Sequence, residues 1–213
     1  MPMNYNSLIE DMQTYMLRTD QPYLRKIPEL IQQGIIRIYN NAKDIGFEIT
    51  EYFDNNNSIL AAGTYRLTKP GNWQETVSLS LVTPTGDLIY LSPRTLEYCR
   101  TYQPNLNIRG IPRYYYDRQD YQYWFVSPSA NINYGAIVVY LGIPLFNAQY
   151  ANNFLTQRYP NLLLYSCLME AALFLNNEES RNKYEMMFGK ELETINRMNV
   201  DRITDRTIIR DKS

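Results

Sequence analysis

The stretch that decides the fold is YPNLLLYSCLMEAALFL, Tyr159 to Leu175. Pro160 suits a first helical turn, where its missing N–H has no partner to lose, and the residues after it predict a helix through Leu175. That helix is apolar nearly all round, so it has to be buried on nearly every side. It is too short for a bilayer, which needs about 20 apolar residues. Other helices must therefore wrap it. Only Ser166 and Glu170, one turn apart, interrupt the apolar run. They read either as a narrow solvent stripe or as a polar contact, with Glu170 bonding across a subunit or domain interface and a second copy of the chain completing the cover.

Helices flank this segment in sequence. Asn176-Asn177-Glu178-Glu179 makes a turn whose acids suit a helix start. Tyr184, Met187, Phe188, Leu192, Ile195 and Met198 then keep one apolar face, and the stripe stops there. At the other end of the chain, Ser7 with Glu10 reads as a capping box for a helix over 7–18. A second helix follows with Pro28 in its first turn, an apolar stripe from Ile27 to Ile38, and Gly46 as its stop. Gly34 lies inside that stripe at a cost of about 1 kcal/mol relative to alanine, which points to a close helix crossing.

Between the helical ends the period changes to two. Phe47–Phe53, Gly63–Leu67 and Val77–Val82 read as strands, with Asn55-Asn56-Asn57 as a turn. Thr83-Pro84-Thr85-Gly86-Asp87 turns back into Leu88–Leu91. Ser92 and Pro93 read as the cap and first residue of a short helix ending near Tyr102. Arg113–Asp117 with Tyr123–Val126 makes a second hairpin, and Ile137–Leu141 a last strand. The expected fold is α+β: a four-helix-type bundle from N- and C-terminal helical hairpins, with a β-rich insertion and a short helix. The parts are 1–46 for the N-terminal helices, 47–147 for the insertion, 148–199 for the C-terminal helices and 200–213 for an extended arm.

Composition narrows the function. At 213 residues, 45% apolar and 20% charged, the chain is an ordinary globular one that buries about 70% of its unfolded surface without a disulfide or metal. Cys99 and Cys167 make no disulfide framework, and the N-terminus lacks the pattern of a signal peptide, so folding in a reducing cytoplasm is expected. There is no histidine, which removes the commonest general base and zinc ligand. No phosphate loop, G-x-S-x-G or C-x-x-C motif occurs. The survey leaves no catalytic residue, no cofactor and no metal site, and both cysteines read as inert packing. The net charge of −1 excludes a strong overall attraction for nucleic acid.

Two segments carry candidate contacts. From Arg113 to Val126 the chain holds Tyr114, Tyr116, Tyr121 and Tyr123 among arginines and acids. This reads as a hairpin packed on both faces, as a contact surface, or as a stacking platform for single-stranded nucleic acid. The 20 tyrosines follow either from codon bias or from selection for such a surface. The tail keeps Ile203, Ile208 and Ile209, with Arg202, Arg206 and Arg210 one helical turn apart. It reads as a solvated terminus or as an arm that orders on a partner.

These residues resemble a known family. The runs LSPRTLEYCRTYQPN, GIPRYYYDRQDYQYWFVSPSANINYGAIVVY and NNFLTQRYPNLLLYSCLMEAALFLNNEESRNKYEMMFGKELETINR are similar to the head-to-tail adaptor proteins of short-tailed bacteriophages, with IPELIQQGIIRIYNNAK and KPGNWQETVSLSL in matching order. The resemblance suggests the ring proteins of crAss-like phages as one close setting. Phe154 stands where the family often has tryptophan. The resemblance implies a virion structural protein at the head–tail junction, a homo-oligomer forming a typically twelvefold ring. Its partners would be the portal protein and the next tail or ring protein. Duplex DNA would pass through without sequence-specific binding, and no membrane is involved. On this reading the arm meets the portal, and the tyrosines with Glu170 meet a subunit or the tail. A tail-completion or nozzle component of the same fold, or a nucleic-acid-binding module using the Tyr/Arg hairpin, are the alternatives.

Overall fold

The computed structural model describes residues 3–53, 60–118 and 122–210, and among these the side chains other than those at 44, 50, 52, 53 and 199–210. The Asn55–Asn57 turn and Tyr121 lie outside the described residues. In chain order the helices are α1 (Tyr5–Met16), α2 (Gln21–Asn41), α3 (Leu96–Tyr102), α4 (Phe154–Arg158), α5 (Pro160–Phe174) and α6 (Glu178–Arg210). The strands are β1 (Glu48–Phe53), β2 (Arg66–Thr68), β3 (Trp73–Val82), β4 (Leu88–Tyr90), β5 (Ser92–Pro93), β6 (Arg109–Gly110), β7 (Tyr114–Asp117), β8 (Tyr123–Ser127), β9 (Ser129–Ala130) and β10 (Gly135–Gly142). The fold is mixed α+β. It divides into two compact units, Met1–Gly46 with Pro144–Ser213, and Phe47–Ile143.

In the helical unit everything is arranged around α5. Helices α1, α2, α4 and α6 all pack against it, and Leu162, Leu163, Cys167, Leu168, Ala171 and Ala172 have no exposed surface. The chain therefore covers most of its own apolar helix without a second copy, and only the C-terminal end keeps exposed apolar residues, Leu173 and Phe174. Ser166 is no solvent stripe either. It is fully buried, and its hydroxyl donates to the Leu163 carbonyl at 2.8 Å. Gly34 of α2 sits directly on this turn: a Cβ there would lie 2.9 Å from Cys167 Sγ and 3.1 Å from Ser166 Oγ. Glycine lets two helix backbones approach where no side chain fits.

The helix starts differ from the sequence reading. In α1 the cap is Asn4, whose Oδ1 accepts from the Ser7 N–H at 2.9 Å while Ser7 Oγ accepts from the Asn4 N–H at 2.9 Å. Ser7 is thus the third helical residue and the box is shifted by one turn. In α2 the first-turn proline is Pro22, and Pro28 lies inside the helix. The earlier start is anchored by Tyr23, fully buried, whose hydroxyl donates to Met12 O at 3.2 Å. Glu178 and Glu179 do open α6, with Asn177 Oδ1 accepting from the Ser180 N–H. The backbone of α6 then continues past Met198 to Arg210, so the residues from 200 to 210 extend that helix.

The second unit is a β-sandwich. One sheet has the order β1-β10-β3-β4, the other β2-β8-β7-β5, and β6 pairs with β9. Pairing is antiparallel except for β5 with β7 and β6 with β9. The entry and exit strands are neighbours, with Glu48 opposite Leu141, and Gly142 N–H donates to Phe47 O at 2.9 Å. Leu79, Leu81, Val138 and Tyr140 of the first sheet share one core with Leu67, Tyr115, Trp124 and Val126 of the second. Ser92 and Pro93 belong to a strand, not to α3, whose cap is Thr95. Ser92 N–H donates to Arg113 O and Arg94 N–H to Tyr115 O, so the donors on either side of Pro93 serve β7. The absent proline donor falls on the outer side of an edge strand, where it is tolerated.

The two helical glycines give a paired test. Gly34→Ala should destabilise the chain by about 1–3 kcal/mol in urea denaturation, because the overlap outweighs the gain in helix propensity. Gly189→Ala in α6, where nothing lies within 4 Å of the added carbon, should stabilise it by about 0.5–1 kcal/mol.

Candidate contact surface

The period of two in β7 and β8 sorts their aromatic side chains onto opposite faces. Tyr115, Trp124 and Val126 enter the sandwich core. Tyr116 is directly across from Phe125, and Tyr114 from Ser127, on the outward face. The sequence-predicted residues Tyr114, Tyr116 and Tyr123 thus share one face.

Two clusters occupy it. Tyr116 stacks on Phe125 at 4.9 Å between ring centroids. The Arg66 guanidinium lies 5.2 Å from the Tyr65 ring and 5.8 Å from those of Tyr123 and Phe125, and Arg118 lies 5.9 Å from Phe125. In the second cluster, α3 brings Tyr98 and Tyr102 edge-on to Tyr114 at 5.1 and 4.9 Å. Arg94 lies 5.4 Å from Tyr98 and 5.6 Å from Tyr114. Tyr98 and Tyr102 are both exposed. A hydrogen bond with Tyr98 holds the Tyr114 hydroxyl above its usual range, and burial does the same for Tyr116. The hydroxyls remain neutral donors, and rings with guanidinium groups supply broad contact area with polar tips.

A buried polar network holds this sheet to the other. Lys69, with no exposed side-chain surface, pairs through Nζ with Asp117 Oδ1 and donates to Arg118 O at 3.1 Å. Its ammonium lies 3.5 Å from the Trp73 ring centroid. Thr76 Oγ1 donates to Asp117 Oδ2 at 2.8 Å and accepts from Trp124 Nε1 at 2.7 Å and Trp73 Nε1 at 3.1 Å. Asp117 ends the strand that carries Tyr114 and Tyr116, so the network positions this outward face.

The remaining candidates lie in the helical unit. Glu170 Oε1 accepts from Arg37 Nε at 2.6 Å and Nη2 at 2.5 Å, so its carboxylate has a partner within its own chain. The Arg202, Ile203, Arg206, Ile208, Ile209 and Arg210 positions fall on α6, their side chains outside the described set. Both cysteines are buried, and burial pushes the Cys167 thiol up to about 12 and raises Cys99. Among the described residues no group of His, Cys, Asp or Glu could hold a metal ion, and no helix is long and apolar enough to cross a membrane.

Sequence reasoning missed Arg66, Arg94, Tyr98, Tyr102 and the Lys69 network. The four-residue spacing of Tyr98 and Tyr102 was a usable signal, because it puts both on one side of α3. Lys69 in the run Thr68-Lys69-Pro70 carries none.

The network gives a second test. Lys69→Met should cost roughly 3 kcal/mol by removing the cation that neutralises Asp117, and Lys69→Met/Asp117→Leu should recover part of that. Urea denaturation followed by tryptophan fluorescence measures both.

Residues 3–210 match the family model described as SU10 adaptor protein. No curated protein matches the chain. A match over nearly the whole length, spanning both the helical unit and the sandwich, places the chain among structural adaptors of phage virions: it belongs to the SU10 adaptor protein family.

Proposed function

We propose that the chain is the subunit of a ring at the head–tail junction, typically twelvefold in such assemblies. The ring joins the portal to the next tail protein, extends the channel for duplex DNA and gives tail proteins a docking surface. Helices α1, α2, α5 and α6 act as a four-helix-type bundle that stiffens each subunit, and the sandwich presents the contacts. The observation that carries this reading is the outward tyrosine–arginine face in a member of a virion adaptor family. Aromatic residues and arginine are the types enriched at protein interfaces, and this face groups them on a braced strand pair. The net charge of −1 suits a channel along which DNA must slide and not stick.

The end of α6 is the portal-contact element of this proposal. Arg202, Arg206 and Arg210 recur every four residues on a helical backbone, which aligns them along one side. Ile203, Ile208 and Ile209 add apolar residues beyond Ile195, the last buried residue among the described side chains of α6.

Deleting residues 200–213 tests this assignment. The truncated protein should melt at the wild-type temperature yet fail to join portal-containing heads. Attachment at wild-type efficiency would remove the arm from the mechanism. Salt-dependent binding of single-stranded nucleic acid by the free full-length protein would favour the nucleic-acid alternative.

A further inference from the structure

The sheet β1-β10-β3-β4 ends in two strands that each have a neighbour on one side only. The hydrogen bonds fix which backbone groups are left over. Gly142 N–H donates to Phe47 O, so the register of β1 and β10 makes Ile49 with Tyr140, Glu51 with Val138 and Phe53 with Ala136 the bonded pairs. Glu48, Thr50 and Tyr52 then direct their N–H and C=O groups to the free side of β1. At the other end, Leu91 N–H donates to Leu79 O and Thr83 N–H to Asp87 O, so Ile89 is bonded to Leu81. Leu88 and Tyr90 direct their N–H and C=O groups to the free side of β4. Among the described residues no further strand pairs with either free side. No Lys, Arg or Pro occurs in 48–53 or 88–91, so neither edge carries those guards against pairing. Leu88 and Tyr90 are 46% and 73% exposed, so the β4 side stands open.

The two edges fit each other. Neighbouring strands of this sheet are antiparallel throughout, so with four strands β1 and β4 run in opposite directions. Setting β4 of one copy beside β1 of the next, with both sheets facing the same way, therefore continues the alternation. The pleat agrees as well. Leu91 lies in the sandwich core, and Ile49 and Ile89 pack against it. The residues with free backbone groups, 48, 50 and 52 on β1 and 88 and 90 on β4, thus all hold outer-face positions. Directly opposed residues of an antiparallel pair share a face, and these do. A sheet of three or five strands fails both conditions. Pairing β4 with β4 about a twofold axis closes as a dimer, and neighbours in a ring of higher order are not related by such an axis.

We propose that β4 of each subunit adds to the free edge of β1 in a second copy of this chain, so that the sandwiches share one sheet running round the ring. This rests on the ring reading above and deepens it by naming the seam. Main-chain hydrogen bonds supply the contact, and the exposed Leu88 and Tyr90 lose water to the incoming strand. Because β4 offers the N–H and C=O groups of Leu88 and Tyr90 alone, each seam is short. A short seam is weak between two free chains. It holds once neighbours bound to one portal raise the effective concentration and the series closes.

The test uses the full-length chain, with incorporation into portal-bearing heads that lack it, and thermal melting. Tyr90→Pro and Thr50→Pro each delete one outward donor and spare the ladder within the sheet, as proline at such an edge position allows. Tyr90→Ala and Thr50→Ala remove the same side chains and keep the donors. Each proline variant should incorporate about tenfold or more below its alanine counterpart. Proline variants that incorporate as well as the alanine ones overturn the proposal. So do proline variants that complete rings and fail only to attach the next tail protein, since the edges then serve that protein. Cysteine pairs cover the case of a proline variant that fails to fold. The two registers that engage both β4 residues set Thr50 opposite Leu88 or opposite Tyr90. On heads treated with diamide, Thr50→Cys/Leu88→Cys or Thr50→Cys/Tyr90→Cys should therefore give a reducible ladder of multimers, because each chain carries both halves of the seam. Cys99 and Cys167 are buried and stay out of it. No ladder from either pair, or dimers from Tyr90→Cys alone, overturns the proposal. Wild-type chain that builds no ring on heads sinks the ring reading itself. Wild-type rings with neither ladders nor a proline effect sink only the seam.

Discussion

A helix without a polar face has one tolerable environment, and α5 imposes it on the whole helical unit. Its buried leucines, alanines and Cys167 take up most of its circumference, so neighbours must reach it from several directions. The neighbours come from both ends of the sequence: α1 and α2 from the first residues, α4 and α6 from the last third. The choice of small residues follows from the same demand. Gly34 meets α5 at Ser166 and Cys167, where the backbones come too close for even a methyl group. The Ser166 hydroxyl, forced inside, turns to the carbonyl of the preceding turn.

The sandwich answers a different demand. Its core is apolar, yet it contains an ammonium group held by a carboxylate, a carbonyl and an indole ring. Such a pair returns little net stability once desolvation is counted. Its value lies in alignment. Sliding β7 by one residue would turn Asp117 away from Lys69 and Thr76, and would exchange Tyr115 with the outward tyrosines at the same time. Register, core and outward face are therefore fixed by one interaction, and the tyrosine–arginine surface inherits its geometry from a buried site.

Much of this was legible in the residues, and the failures have physical causes. Periodicity found α5, β3, β10 and the β7–β8 hairpin because each holds its pattern over several residues. Gly34 announced a helix crossing by standing in an apolar stripe. Starts were harder: Asn4 and Ser7, Pro22 and Pro28, Ser92 and Thr95 are each chemically able to begin a helix. The contest is settled by what the next turn can bury, as Tyr23 does for α2. Helix α4, at five residues, is too short to display a period. Alternation alone put Tyr114, Tyr116 and Tyr123 together, but which face looked outward depended on Trp124 and Tyr115 choosing the core. Lys69 and Asp117 meet across 48 residues with no local mark on either.

The sandwich enters and leaves through one doorway. Its first and last strands are paired, and a hydrogen bond of 2.9 Å joins Gly142 N–H to Phe47 O at the threshold. A segment threaded in this way behaves as a cassette. Recombination can lengthen it, trade it between lineages or replace it with another module without rerouting the rest of the polypeptide. Phage genomes exchange material freely, and the geometry lets the sandwich diversify while the helical unit keeps its own core.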